Sequence, residues 1–234
     1  MTLLAVVQKV CPVVGVMVPQ AVFPGISSNR TMQEMVTLAN EVAQTIAYDH
    51  REWTTLKTKA TFTGDGVSEA FNLPANYKRM LLKSNVWRSR QTMAPMRFIP
   101  DLDEWMQRRA MGHVDLYSEW TIYGGQMHIQ PILPAAETAT FNYLDKNCIA
   151  LASGGYGDEF MSDLDTFRLD ERVLKLGMIW RWKSQKGTAY AEDMGTYGDA
   201  LNTVAGFDQP SPILIGRRPA MRNATDAYPW PVPT

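Results

Sequence analysis

Helical period appears at both ends of this chain, and the segment between them alternates in twos, so any helical layer must be assembled from opposite ends of the sequence. Thr31 followed by Glu34 has the spacing of a capping box. Met35, Leu38, Val42, Ile46, Trp53 and Leu56 then mark one apolar face, which predicts a long helix from Thr31 to about Leu56. Near the other end, Leu169 to Lys186 carries Val173, Leu174, Leu176, Met178, Ile179, Trp180 and Trp182 on nearly every side, and a helix apolar all round is expected to be buried all round. Thr188 to Phe207 places Tyr190, Met194, Tyr197, Leu201 and Val204 on one stripe.

From Thr58 the texture changes to short runs broken by glycine. Thr61 to Thr63, Glu69 to Leu73, Arg79 to Trp87 and Ala139 to Leu144 read as strands, and Gly64-Asp65-Gly66 as a turn. Trp120 to Tyr123, Gly124-Gly125 and Gln126 to Gln130 form a hairpin signature. Asp101 and Glu104 open a short helix through Met111. The expected fold class is α+β, a helical bundle from the N-terminal and C-terminal helices with an inserted antiparallel β domain. The expected domains are 1-57 with 150-206 for the bundle, 58-149 for the β domain with its short helix near 101-111, and 207-234 for an extended C-terminal arm.

The arm follows from chemistry. Phe207 to Thr234 holds six of the fourteen prolines, each of which fixes φ and removes a backbone donor, so no helix or central strand forms there. Yet it carries Ile213, Leu214 and Ile215, the arginines Arg217, Arg218 and Arg222, and Trp230, too much apolar surface for a solvated tail. Burying a side chain such as Ile213 or Trp230 stabilises by roughly 1.5–3 kcal/mol. These seven residues are the expected partner-binding set, on a neighbouring subunit or another protein. Trp180, Trp182, Tyr190 and Tyr197 are the expected subunit-interface residues, because the two C-terminal helices carry more apolar surface than a small bundle buries alone.

The N-terminus is apolar from Leu3 to Val22, but Lys9, Pro12 and Pro19 interrupt it, and no basic segment precedes it as a secretory signal requires. A short helix from Thr2 to Cys11 is expected, then an extended apolar segment packed on the body, with no membrane partner.

A net charge of −1 over 234 residues gives no electrostatic case for clamping nucleic acid. Lys57, Lys59, Lys78, Arg79, Arg88 and Arg90 are scattered basics, of which Lys57, Lys78, Arg79, Arg88 and Arg90 would serve a nucleic-acid-binding module. Two cysteines, Cys11 and Cys148, make neither a disulfide framework nor a zinc site. His50, His113 and His128 have no ligand-spaced neighbours, and Ser153-Gly154-Gly155-Tyr156-Gly157 lacks the Gly-Lys-Ser/Thr of a phosphate loop. Asp158, Glu159, Asp163, Asp165, Asp170 and Glu171 form the one acidic cluster, with a spacing that matches no calcium loop and a position ahead of a helix, where carboxylates are favoured. No catalytic residue, metal or cofactor is expected.

Several blocks together resemble the head-to-tail adaptor proteins of short-tailed bacteriophages. They are Leu3-Leu4-Ala5-Val6-Val7-Gln8-Lys9-Val10-Cys11, the Thr31 to Leu56 helix ending in Glu52-Trp53-Thr54-Thr55-Leu56, Ala60 to Thr63 with Phe71-Asn72-Leu73-Pro74-Ala75-Asn76-Tyr77-Lys78-Arg79, and Tyr117 to Pro131. The resemblance implies a structural virion protein, a ring of usually twelve copies that joins the portal protein to the tail nozzle and fibres and lets DNA pass unread. It places the chain in the virion tail at the portal vertex, and in the host cytoplasm during assembly. A head-completion or tail-tube connector of another phage type is the alternative within that class. No motif of the family covers Ile213 to Ile215 or Trp230.

Overall fold

The structure, a computed structural model, describes residues 1–25, 29–90, 94–112 and 117–208. In chain order its elements are α1 (Leu3–Val10), α2 (Arg30–Tyr48), β1 (Lys57–Thr63), β2 (Ala70–Asn72), β3 (Tyr77–Met80), β4 (Trp87–Arg88), β5 (Arg97–Phe98), α3 (Leu102–Ala110), β6 (Glu119–Tyr123), β7 (Gln126–Gln130), β8 (Thr138–Asp145), β9 (Ile149–Ala150), β10 (Tyr156–Gly157), β11 (Thr166–Phe167), α4 (Glu171–Gln185) and α5 (Ala191–Phe207). The fold is α+β. Its described residues divide into two units, Met1–Lys57 with 144–208, and Thr58–Tyr143.

In the first unit, α4 packs against α5, α2 and α1. Gly177 marks the closest approach. A Cβ there would lie 2.4 Å from Val42 Cγ1 of α2 and 3.1 Å from the Tyr197 ring of α5, so only hydrogen fits between three helices. α4 is less enclosed than its sequence suggests: Val173, Leu174, Met178, Ile179 and Trp182 are buried, while Leu176 and Trp180 stay partly open. Likewise α5 buries Tyr197 and Leu201 of its stripe, with Ala200 beside them, and leaves Met194 exposed.

α2 begins one residue early and ends eight residues before Leu56. Asn29, not Thr31, is the N-cap, its side chain accepting from the Thr31 N–H at 2.9 Å, and Glu34 turns outward to Arg30 and Lys186 instead of closing a capping box. Past Tyr48 the chain folds back. Trp53 Nε1 donates to the Ile46 carbonyl at 2.7 Å, satisfying an acceptor in the last helical turn, and Trp53 and Leu56 are buried from a 3-10 turn over Thr54–Leu56. The period persisted across the break because both conformations bury these side chains.

α1 is capped by Thr2 and buries Leu3, Val6, Val7 and Val10. The segment after it does not pack along its length: Val22 is buried, whereas Met17 is 88% exposed and Val13 and Val18 are also exposed. Among the described residues, no helix is long and apolar enough to cross a membrane.

The second unit is built on two four-stranded sheets. β1, β8 and β3 form one, with β4 also on β8; β2, β7, β6 and β5 form the other. The hairpin is in the register its Gly-Gly turn predicts, with Tyr123 opposite Gln126 and both glycines at positive φ. Phe62 of the first sheet stacks on Phe71 of the second at a centroid distance of 5.1 Å and meets Phe141 of its own sheet at 5.2 Å, against a core that holds Phe141, Trp120, Met127, Ile129 and Tyr143. Arg79 to Trp87 is not one strand. The chain leaves β3 at Met80, passes Lys83 at φ 63°, exposes Leu82 and resumes pairing at Trp87.

Candidate interaction groove

Where α5 leaves its stripe half covered, α2, α4 and α5 border a groove of about 360 Å³, within the first unit. Val42, Trp180, Met194, Tyr197 and Leu201 supply its apolar wall. Trp180 lies 6.0 Å from the Tyr197 ring, and His50 meets Tyr197 edge-on at 6.5 Å. Arg181 stacks over the Trp180 ring at 4.9 Å and pairs with Glu41 at 2.8 Å, which fixes the rim. Burial raises the affinity of the Tyr197 phenol for its proton. The indole N–H of Trp180 is shielded from solvent and has no acceptor among the described residues.

The four expected interface residues divide around this groove. Trp182 and Tyr197 are buried in their own unit, Trp180 and Tyr197 line the groove, and Tyr190, 40% exposed, stands just before α5. The expected anchors Ile213, Leu214, Ile215, Arg217, Arg218, Arg222 and Trp230 lie outside the described residues, as does His113. The chain approaches that segment from a fixed point. Asp208 accepts from the Thr54 N–H at 3.1 Å and from its hydroxyl and pairs with Arg51, which also bonds the Ala205 carbonyl. The meeting of Val42, His50 and Arg181 in one groove was not foreseen from the sequence, because only the crossing of α2 with α4 brings them together.

The acidic cluster has a structural use. The Asp165 carboxylate, 1% exposed, accepts from the backbone N–H groups of Ala152, Met161 and Ser162 at 2.6–2.8 Å. Asp163 accepts from Val22 and Phe23, and Asp170 caps α4 through the Val173 N–H at 2.9 Å. The carbonyls of Asp163 and Asp165 take the Leu4 and Leu3 N–H groups, satisfying donors that begin α1. The cluster thus ties α1, the segment before α2 and the start of α4 to one loop. Among the described residues no group of three or more histidines, cysteines, aspartates and glutamates could hold a metal ion.

In the second unit, His128 is a buried sheet residue stacked on Tyr123, ring centroids 3.8 Å apart, and burial holds its pKa below the ordinary histidine value. Glu69 and Arg109 pair at 2.7 Å beside it. Arg88 cannot serve a nucleic-acid face: it forms a two-point bridge to the buried Glu137 at 2.9 and 2.7 Å and donates to Ser118 at 2.6 Å. Lys57 and Lys59 do lie on the exposed side of β1.

No protein-family model and no curated protein matches the chain.

Proposed function

We propose that the chain is a structural subunit of a phage head-to-tail connector, assembling as a ring of about twelve copies between the portal and the tail nozzle. The observation that carries the reading is the ordered resemblance to the adaptor family. Its blocks at Leu3–Val10 and from Thr31 contribute to the helical unit, and those at 60–79 and 117–131 to the β unit. In this reading the helices from the two ends of the chain form the bundle, the β unit is the insertion, and the arm at 207–234 locks onto the portal or the next subunit. DNA passes the ring without being read, which suits a net charge of −1, because a strongly basic lumen would retain it.

The side-chain chemistry agrees with a structural role. Asp163, Asp165 and Asp170 hold backbone donors, and Glu137, Glu119 and Glu69 hold arginines. Imaging of assembled particles by cryo-electron microscopy tests the proposal, which expects a closed ring of this chain directly beneath the portal. Density for the chain elsewhere in the particle, or none at all, refutes it. Deleting 209–234 is expected to leave the subunit folded and abolish its stable attachment to the portal.

A further inference from the structure

We propose that the groove between α2, α4 and α5 is the socket for the Val16-Met17-Val18 segment of a second copy of this chain, so that helical units join head to tail. The inference deepens the ring reading and rests on it for closure of the series of contacts.

The helical unit carries both halves of such a contact. From Pro12 to Pro19 the sequence has no polar or charged side chain, and Met17 is the most exposed large apolar side chain among the described residues. The segment is presented in a fixed place. The Val13, Val14 and Val16 N–H groups are held by the carbonyls of Val10 and Cys11, and the Pro19 carbonyl accepts from Gln8 at 3.1 Å. None of the residues that hold it borders the groove, so one copy can offer its segment while its groove receives another's. Two different patches of one surface make a heterologous contact, the kind that closes into rings.

Dimensions and chemistry match. From Met194 to Leu201 the wall runs about 10 Å at the standard helical rise, and an extended Val16 to Pro19 covers about 10 Å. The wall offers the Trp180 and Tyr197 rings, against which a methionine sulfur packs favourably.

Charge selects this occupant over a second groove. Lys9 is the single charged side chain from Thr2 to Asn29, whereas α5 carries Glu192, Asp193 and Asp199 and no basic residue. Asp199 is exposed, one turn before Asn202 in the groove lining. On the α4 side Arg181 is already paired with Glu41. An incoming N-terminal segment therefore brings only positive charge to an acidic helix, while a groove-to-groove contact would set two acidic helices against each other.

Mixing full-length chains carrying Val18→Cys with full-length chains carrying Asn202→Cys, under mild oxidation, tests the contact, Cys11 and Cys148 being buried. Side chains alternate along an extended strand, so Val18 lies at the rim when Met17 enters the groove. The expected main product is the covalent heterodimer, in at least several-fold excess over either homodimer. Adding Met194→Glu to the Asn202→Cys chain, or Met17→Glu to the Val18→Cys chain, should remove that excess, and both changes fall on exposed residues that the fold tolerates. Products in statistical proportion, or a heterodimer yield indifferent to both glutamates, would overturn the proposal. So would an intramolecular bond as the main product of a chain bearing both cysteines, since the segment would then fill its own groove. Native mass spectrometry of the unsubstituted chain reads the ring separately. A closed ring without the heterodimer refutes this contact and leaves the ring reading standing, whereas the heterodimer with open-ended oligomers supports the contact and refutes the ring.

Discussion

The acidic loop of the helical unit and the glutamates of the β unit use their carboxylates for different ends. In the helical unit the loop carboxylates stand in for missing backbone acceptors: Asp165 holds three N–H groups, Asp163 two and Asp170 one. In the β unit the glutamates hold guanidinium groups, with Arg88 on Glu137, Arg108 on Glu104 and Glu119, and Arg109 on Glu69. The difference follows from the backbone. Paired strands satisfy one another's N–H groups and leave side chains free to join across the sheets, whereas the loops that receive α1 and launch α4 have no ladder and must borrow acceptors.

That contrast predicts a graded set of effects. Asp165→Ala should be the most damaging, because it removes the shared acceptor of three part-buried backbone donors, at about 1.5 kcal/mol for each charge-assisted bond, or on the order of 4–5 kcal/mol in all. Hydrogen exchange should show the loss in the helical unit, with α1 among the first elements to open. Asp165→Asn retains one acceptor oxygen and should cost clearly less, and equal costs would break the acceptor account.

Glu137→Ala should destabilise the β unit by about 3–4 kcal/mol, since it leaves Arg88 buried without its partner. Glu137 also predicts an acid response. Hydrogen bonding from Arg88 lowers its pKa below the reference value of 4.5. The stabilisation is therefore complete above about pH 4.5 and is lost as the pH falls through the lowered folded value, because the unfolded chain then binds the extra proton. In urea titrations across that range, Glu137→Gln should flatten the acid limb.

Gly177→Ala should cost about 1–2 kcal/mol, overpacking against Val42 and Tyr197 outweighing the better helix propensity of alanine. A stabilised Gly177→Ala variant would mean that α2, α4 and α5 do not meet closely there. Asp170→Ala removes a single cap bond and should cost about 1 kcal/mol.

Much of the local structure was legible in the sequence. α1, α3 and the Gly-Gly hairpin fall where caps, period and turn residues placed them, because each is specified by neighbours in sequence. The end of α2 was hidden because Trp53 keeps the helical spacing from Ile46 while reaching it by a side-chain hydrogen bond. The break at Lys83 was hidden because Leu81, Leu82 and Trp87 look like strand residues. Of the candidate site, the stripe Tyr197 and Leu201 was readable from α5 alone. The groove was not, since it depends on Gly177 drawing α2 and α5 onto one side of α4. The buried role of Asp165 was equally invisible, because its three donors lie 13, 4 and 3 residues before it in sequence and only the fold gathers them.

The proposed ring is tested most directly by native mass spectrometry of the full-length chain, alone and mixed with portal rings. The account predicts a closed species of about twelve times the 26.4 kDa of one chain, free or bound to the portal. A 26.4 kDa monomer under both conditions, at every concentration sampled, would contradict it.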